Sequence, residues 1–567
     1  MLRNQRWNRL LVMASLMICL SYCSNHVIRE KADLILFNGH IVTVDPTMPQ
    51  AEAVAVKGDR ILAVGKNKQI MQFREEATRL VDLKGKTAIP GLIDAHMHLP
   101  ELGKGLNLLY LDKTRNYEEV IEIVGRIAAK AKPGEWIMGS GWHTASWGTV
   151  EYPTHKVLSK VTPHNPVYLD GMATHAVLIN QKAMELAGIT KDTANPPGGV
   201  VLRDPRTGSP TGILLERAKE LVTKIFPPET HESLKKSIQQ GIAAAVRLGL
   251  TGIHDAGVDQ NTIQVYKELL EEDSLNIRLY VMPFVPGDGK LLDVTISRPP
   301  EIGLGKNLLT IRCIKAFIDG ALGARGAALL EPYSDSPKDR GLLINSEENI
   351  HSLLVKCLKA GYQVSLHAIG DRANRIALDA IEKAQEETSA KNPRLRIEHA
   401  QILTAQDLPR FSRLGVIPSM QPVQCPMDIG FAEARVGPER LKGAYAWRSL
   451  LDSGARIAGG SDVPAYPLEY SNPLWGIYSA FTRKNTEGKP EGGWHPEQSV
   501  TRTEALRMFT IDAAYAAFEE NLKGSLTPGK LADIVVLSRD ILSVSESDVP
   551  KTDVEMTILG GRVIFQK

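Results

Sequence analysis

Eight apolar runs in the middle of the chain each lead into a polar stretch, and helical patterns separate most of them. In order they are "IDAHMH", "TGIHDAG", "RLYVMPF", "IRCIKAFIDG", "YQVSLHAIGD", "LRIEHAQ", "VIPSMQP" and "ARIAGGSD". "SLKKSIQQGIAAAVRLG" precedes the second, and "NRIALDAIEKAQEE" lies between the fifth and sixth. Strands that alternate with helices form a parallel sheet, and eight such units close on themselves as a TIM barrel. The spacing predicts an α/β fold with a TIM (β/α)8 barrel over residues 89–521.

In such a barrel the C-terminal strand ends converge on one mouth. His96 and His98 end the first run, Lys315 the fourth, His367 the fifth, His399 the sixth and Asp462 the eighth. Side chains alternate faces along a strand, so His96 and His98 point the same way. Two imidazoles on one face are half of a metal site. Taken alone, the pair reads equally well as polar residues in a strand-to-loop turn. Six suitable groups at matching strand ends decide for metal ligation by His96 and His98. His254 and Asp255 end the second run, where support or packing is expected. Gln421 ends the seventh and faces substrate in this reading. Asp319 and Arg325, after the fourth, are read either as substrate contacts or as a structural salt bridge. Cys425 has no identifiable base nearby and receives no catalytic role.

Residues 104–236 break the rhythm, since they separate the first two strands by far more than one helix. They are expected to form an inserted subdomain over the mouth. Its "GSGWHTASWG" and "DGMATHAVLIN" make Trp142, His143 and His175 candidate pocket residues. Both chain ends look like short strands hinged at Asn38-Gly39, Gly58-Asp59 and Gly560-Gly561, which are hairpin signatures. A small β-sandwich built from 31–88 and 522–567 is expected.

At 567 residues the chain exceeds one ordinary core, which agrees with a large domain plus a smaller one. A net charge of +2 gives no electrostatic case for nucleic acid, and five cysteines are no disulfide framework. Arg3, Arg6 and Arg9 precede "LLVMASLMICL", too short to span a bilayer and suited to a signal-peptide core. "LSYC" follows and resembles a bacterial lipobox, with Cys23 as the lipidated residue; Tyr22 departs from the pattern, which prefers a small side chain. Residues 1–22 are read as a signal peptide, and the protein as an exported cell-envelope lipoprotein. Ordinary cleavage and secretion is the other reading.

"GLIDAHMH", "GIHDAG", "IKAFIDGALGARGAAL", "LHAIGD", "IEHAQ" and "GGSDVP" resemble the amidohydrolase superfamily. With "PVYLDGMATHAVLIN", "TGILLERA" and "KGSLTPGKLADIVVLSRD", they resemble its family 3, the group similar to N-substituted formamide deformylase, over residues 31–567. The resemblance implies one or two divalent metals, zinc or similar. His96 and His98 would hold one, and His367 and His399 a second. Lys315 would bridge them as a carboxylated lysine, because an ammonium cannot ligate a cation; its other reading is an ion pair with a carboxylate such as Asp319. Asp462 matches the strand-eight aspartate used for proton transfer. The implied reaction is hydrolysis of an amide, N-acyl or N-formyl carbon–nitrogen bond of a small molecule by a hydroxide that the metal makes available. A cyclic amide, an ester or a deaminated ring remain open, as does a ligand-binding lipoprotein on an inactive barrel. By analogy with relatives, a homodimer is expected.

Overall fold

The structure, a computed structural model, describes residues 30–149, 151–171, 176–285, 290–465 and 467–567. The expected signal peptide, Cys23 and His175 lie outside the described residues.

Barrel strands one (Leu92–Met97), two (Leu250–Val258) and three (Arg278–Pro283) pair in parallel, and three pairs with Leu309–Ile311. A second parallel sheet runs from Cys313–Phe317 through strands five (Gln363–Ala368), six (Arg396–His399), seven (Ile417–Met420) and eight (Ala458–Gly459). Strand four therefore divides at Arg312, and its halves belong to different sheets. A parallel bridge between Phe284 and Lys315 joins the two sheets there. Strands one, three, five, six and seven are buried along their whole length. That is why they read as continuous apolar runs: helices cover one face and the barrel interior the other.

On the opposite side strand eight meets strand one. The Asp462 N–H donates to the His96 carbonyl at 2.7 Å, and the His98 N–H to the Val463 carbonyl at 3.0 Å. A Cβ at Gly460 would lie 2.6 Å from the His96 nitrogen, so a residue without one is needed for this approach. Helix Leu99–Gly105 packs as tightly on helix His231–Arg247, where a Cβ at Gly103 would lie 1.7 Å from the Ser237 carbonyl oxygen. The outer helices bury a single stripe; Asp371–Thr388 turns Ala373, Ala377, Leu378, Ile381 and Ala384 inward at helical spacing.

Between strands one and two, a six-stranded sheet spans Leu109–Glu216 and carries its own apolar clusters. At the chain ends, a four-stranded sheet (residues 34–82) and a six-stranded sheet, which draws strands from residues 40–90 and 534–566, share a core of Leu36, Val54, Ile534 and Ile558. Strands Ala53–Lys57 and Arg60–Gly65 form the hairpin expected at Gly58-Asp59, and Val554–Leu559 pairs with Arg562–Gln566 around Gly560-Gly561. Asn38-Gly39 is different. Leu34–Phe37 lies in the four-stranded sheet and His40–Val42 in the six-stranded one, so this turn carries the chain between sheets rather than closing a hairpin. Among the described residues no helix is long and apolar enough to cross a membrane.

Candidate metal centre

His96, His98, Lys315, His367, His399 and Asp462 all line one cavity of about 450 Å³ at the C-terminal ends of the barrel strands. One ligand atom each from His96, His98 and Asp462 lie within 4.8 Å of one another. His98 Nε2 is 3.2 Å from Asp462 Oδ1, and His96 Nε2 is 3.5 Å from the same oxygen. His399 stands beside them, its ring centroid 5.1 Å from that of His96 and 4.6 Å from that of His367. His399 and Asp462 both have positive φ, +73° and +57°, the strained backbone that collects where a fold must aim a side chain.

The far nitrogens of two histidines are pinned from behind. The Nδ1 of His96 makes a very short contact with the Glu398 carboxylate. Glu398 in turn accepts from Arg396 Nε at 2.8 Å and Ser365 Oγ at 2.6 Å. His399 Nδ1 lies 2.8 Å from Gln421 Oε1. Since Oε1 only accepts and a carboxylate only accepts, both histidines carry their proton on Nδ1 and present Nε2 to the centre. Burial holds His96 down at about 3, with the Lys315 charge adding to it against the pull of Glu398. Burial would raise Glu398, but Arg396 and His96 outweigh it and keep the carboxyl well below its ordinary range. Asp462 behaves alike: burial opposes ionisation, and the hydrogen bond to His98 with the charges of His96 and His399 overcomes it.

Two buried nitrogens in this cavity have no hydrogen-bond partner, Lys315 Nζ and His367 Nε2. Burial pushes the Lys315 amine down to about 8 and His367 well below its usual value. An unpaired buried ammonium costs several kcal/mol, so a neutral amine or its carbamate suits this environment better. Imidazoles, of which burial holds those of His96, His367 and His399 neutral while Asp462 draws His98 upward against burial, an ionised carboxylate and a deprotonatable lysine on one cavity are a donor set that fits a divalent metal.

Most of the other candidates go elsewhere. Asp319 is fully buried and accepts backbone N–H groups of Ala328, Ile369 and Gly370 at 2.8–3.0 Å, so it ties the loop after strand four to strand five, and its Oδ1 lies 3.7 Å from His367 Nε2. It makes no ion pair with Lys315. Arg325 forms a two-pronged pair with Asp335, away from the cavity, which is the salt-bridge reading. Trp142 is buried in the insertion, donates to the Leu169 carbonyl at 2.7 Å and stacks on Trp147. His143 is exposed and does not line the cavity. Gln421 stands behind His399 rather than facing the cavity. His254 packs against Arg396 Nη1 at 2.9 Å, and Asp255 accepts from Leu99 N–H and the Tyr266 hydroxyl.

Sequence reasoning passed over Glu398, Arg396 and Asp94. Asp94 Oδ1 accepts the N–H groups of His96 and Ser461 and so clamps strand one to strand eight. Charged residues spaced by two within apolar strands, Arg396 with Glu398 and Asp94 with His96, were the available signal.

An α/β barrel whose strand ends gather histidines, an aspartate and a buried lysine on one cavity belongs to the class of barrel enzymes built around a metal site. Residues 79–565 match the family described as the amidohydrolase family, and the chain belongs to it. It is 34% identical over 545 residues to "Protein LONG AFTER FAR-RED 3" of Arabidopsis thaliana, covering 94% of this chain and 92% of that protein. It is 28% identical over 558 residues to "N-substituted formamide deformylase" of Arthrobacter pascens, covering 95% and 99%. Among solved structures, an uncharacterized metal-dependent hydrolase from Pyrococcus furiosus superposes with a TM-score of 0.73 at 29% identity, covering 90% of this chain and 100% of that one.

Proposed function

We propose that this chain is a metal-dependent hydrolase of a carbon–nitrogen bond other than a peptide bond, acting on an N-acyl or N-formyl amide. The observation that carries this reading is the His96–His98–Asp462 cluster opening on the same cavity as Lys315 Nζ and His367 Nε2, two buried nitrogens that make no hydrogen bond. The likeness to a formamide deformylase supports the choice of bond. His96, His98, His367 and His399 would hold the metal, which we take to be zinc, and Lys315 would join them as its carbamate.

A bound divalent metal lowers the pKa of water towards neutrality and polarises a carbonyl. The chain's own groups do the rest. Asp462, kept ionised, takes a proton from the attacking water and delivers it to the departing nitrogen, which leaves only when protonated. Glu398 and Gln421 keep the Nε2 atoms of His96 and His399 aimed inward. Phe317, Leu322, Ile369 and Phe431 form apolar walls that exclude water and hold the substituent of the amide. The basic N-terminus, its apolar run and Cys23 support export and anchoring at the cell envelope.

Formate release from N-benzylformamide, measured on the wild type and on Asp462→Asn, tests the reading. The expected result is turnover by the wild type and a loss of about 100-fold or more in the variant. No turnover of any amide in a panel, or an unchanged rate in the variant, would contradict it.

A further inference from the structure

The wall of the cavity formed by helix Gln424–Asp428 has no part in the chemistry described above. Asp428 closes that helix, is 5% exposed and lines the cavity. Its Oδ2 accepts two donors, the Tyr445 hydroxyl at 2.6 Å and Gln401 Nε2 at 2.8 Å. Gln401 also donates to the Tyr445 oxygen at 2.7 Å, so the three groups form a closed ring that fixes the carboxyl plane. Among the described residues Oδ1 has no hydrogen-bond partner and no cation pairs with Asp428. Lys315 is the only lysine or arginine among the described residues lining the cavity, and it stands with the metal-centre histidines.

A buried carboxyl without a counter-charge is expensive unless something arrives to meet it. Burial pushes Asp428 up to about 7, the condition of a group that a cation would draw back to its ionised form. A substrate carboxylate, by contrast, finds no arginine among the described residues that line the cavity and no donor at Asp428 Oδ1.

We propose that Asp428 Oδ1 anchors a cationic nitrogen of the substrate, an amine, amidine or guanidine, so that the cavity selects basic amides over acidic ones. The anchor sets what the hydrolase described above accepts, and so rests on that reading for its meaning but not for its test.

The test is direct binding, by calorimetry, of benzamidine and of benzamide, its neutral isostere, to the purified full chain. The wild type should prefer benzamidine by about 10-fold or more, as a charged hydrogen bond in a buried site gives. Asp428→Asn keeps an oxygen for Tyr445 and Gln401 and should abolish the preference; Asp428→Ser repeats the loss by another route, and Asp428→Glu should retain it. Equal binding of the two probes, binding of neither, or a preference that survives in Asp428→Asn and Asp428→Ser would overturn the proposal. Absence of turnover across an amide panel that includes basic amides, with the benzamidine preference intact, would remove the amide-hydrolase reading and leave the anchor standing.

Discussion

His96 and Glu398 meet edge to carboxylate in the barrel interior, with side chains 1% and 0% exposed. The contact sets which nitrogen of His96 faces the cavity. It also places the buried charge of Arg396, whose other partners are the Ala95 carbonyl, Ser419 Oγ and His254 Nδ1.

Replacing Glu398 with Gln should weaken metal binding by about 10–100-fold, because an amide holds the imidazole less firmly and can present its N–H to it. Titration against a chromogenic chelator reads the change. Glu398→Ala should in addition lower stability by about 3–5 kcal/mol, since it leaves Arg396 buried without its anion. Chemical denaturation measures that cost.

Lys315 gives a second prediction. In Lys315→Arg the buried group is always charged and cannot form a carbamate. Activity should fall by about 100-fold or more, the scale of a lost group in the reacting centre. The native protein, equilibrated with 13C-labelled bicarbonate, should show a carbamate carbon signal that the variant lacks. A wild-type spectrum without that signal would assign Lys315 to the neutral amine.

Far from the cavity, Arg278 and Asp533 form a two-pronged pair at 2.7 and 2.8 Å, exposed by only 4% and 3%. The pair ties barrel strand three to the C-terminal stretch. Asp533→Ala should cost about 3–5 kcal/mol in a urea melt and leave metal affinity unchanged. A variant that lost metal as well would show that the end sheets and the centre are coupled.

The Asp428 carboxyl, raised by burial to about 7, makes stability depend on pH. The folded protein holds this proton between about pH 4 and 7 where the unfolded chain has released it, so the contribution is complete below about 4 and is lost as pH rises through 7. Urea midpoints taken from pH 5 to 8 should therefore fall less steeply in Asp428→Asn than in the wild type. Identical slopes would show that the carboxyl is ionised throughout.

Much of this was legible in the chain. Apolar runs ending in His96, His98, Lys315, His367, His399 and Asp462 disclosed both the barrel rhythm and its mouth, because a strand buried on both faces has few other ways to be written. The supports were not legible. Glu398 and Arg396 look like surface charges in a one-dimensional pattern, and only the register of strand six places them inside. Trp142 and Gln421 were read as pocket residues from composition and position, yet their hydrogen bonds point into the insertion and behind His399. Asn38-Gly39 has the residues of a hairpin, but its flanking strands pair with partners distant in sequence, and local turn chemistry does not report those. Asp319 stands near Lys315 in sequence and is satisfied by three backbone N–H groups instead.

The metal content of protein purified without chelator, measured beside His96→Ala, tests the central claim most directly. The account predicts one to two equivalents of divalent metal per chain, with most of it lost in the variant. Protein that carries no metal, takes up none when it is supplied, and is unchanged by His96→Ala would contradict it.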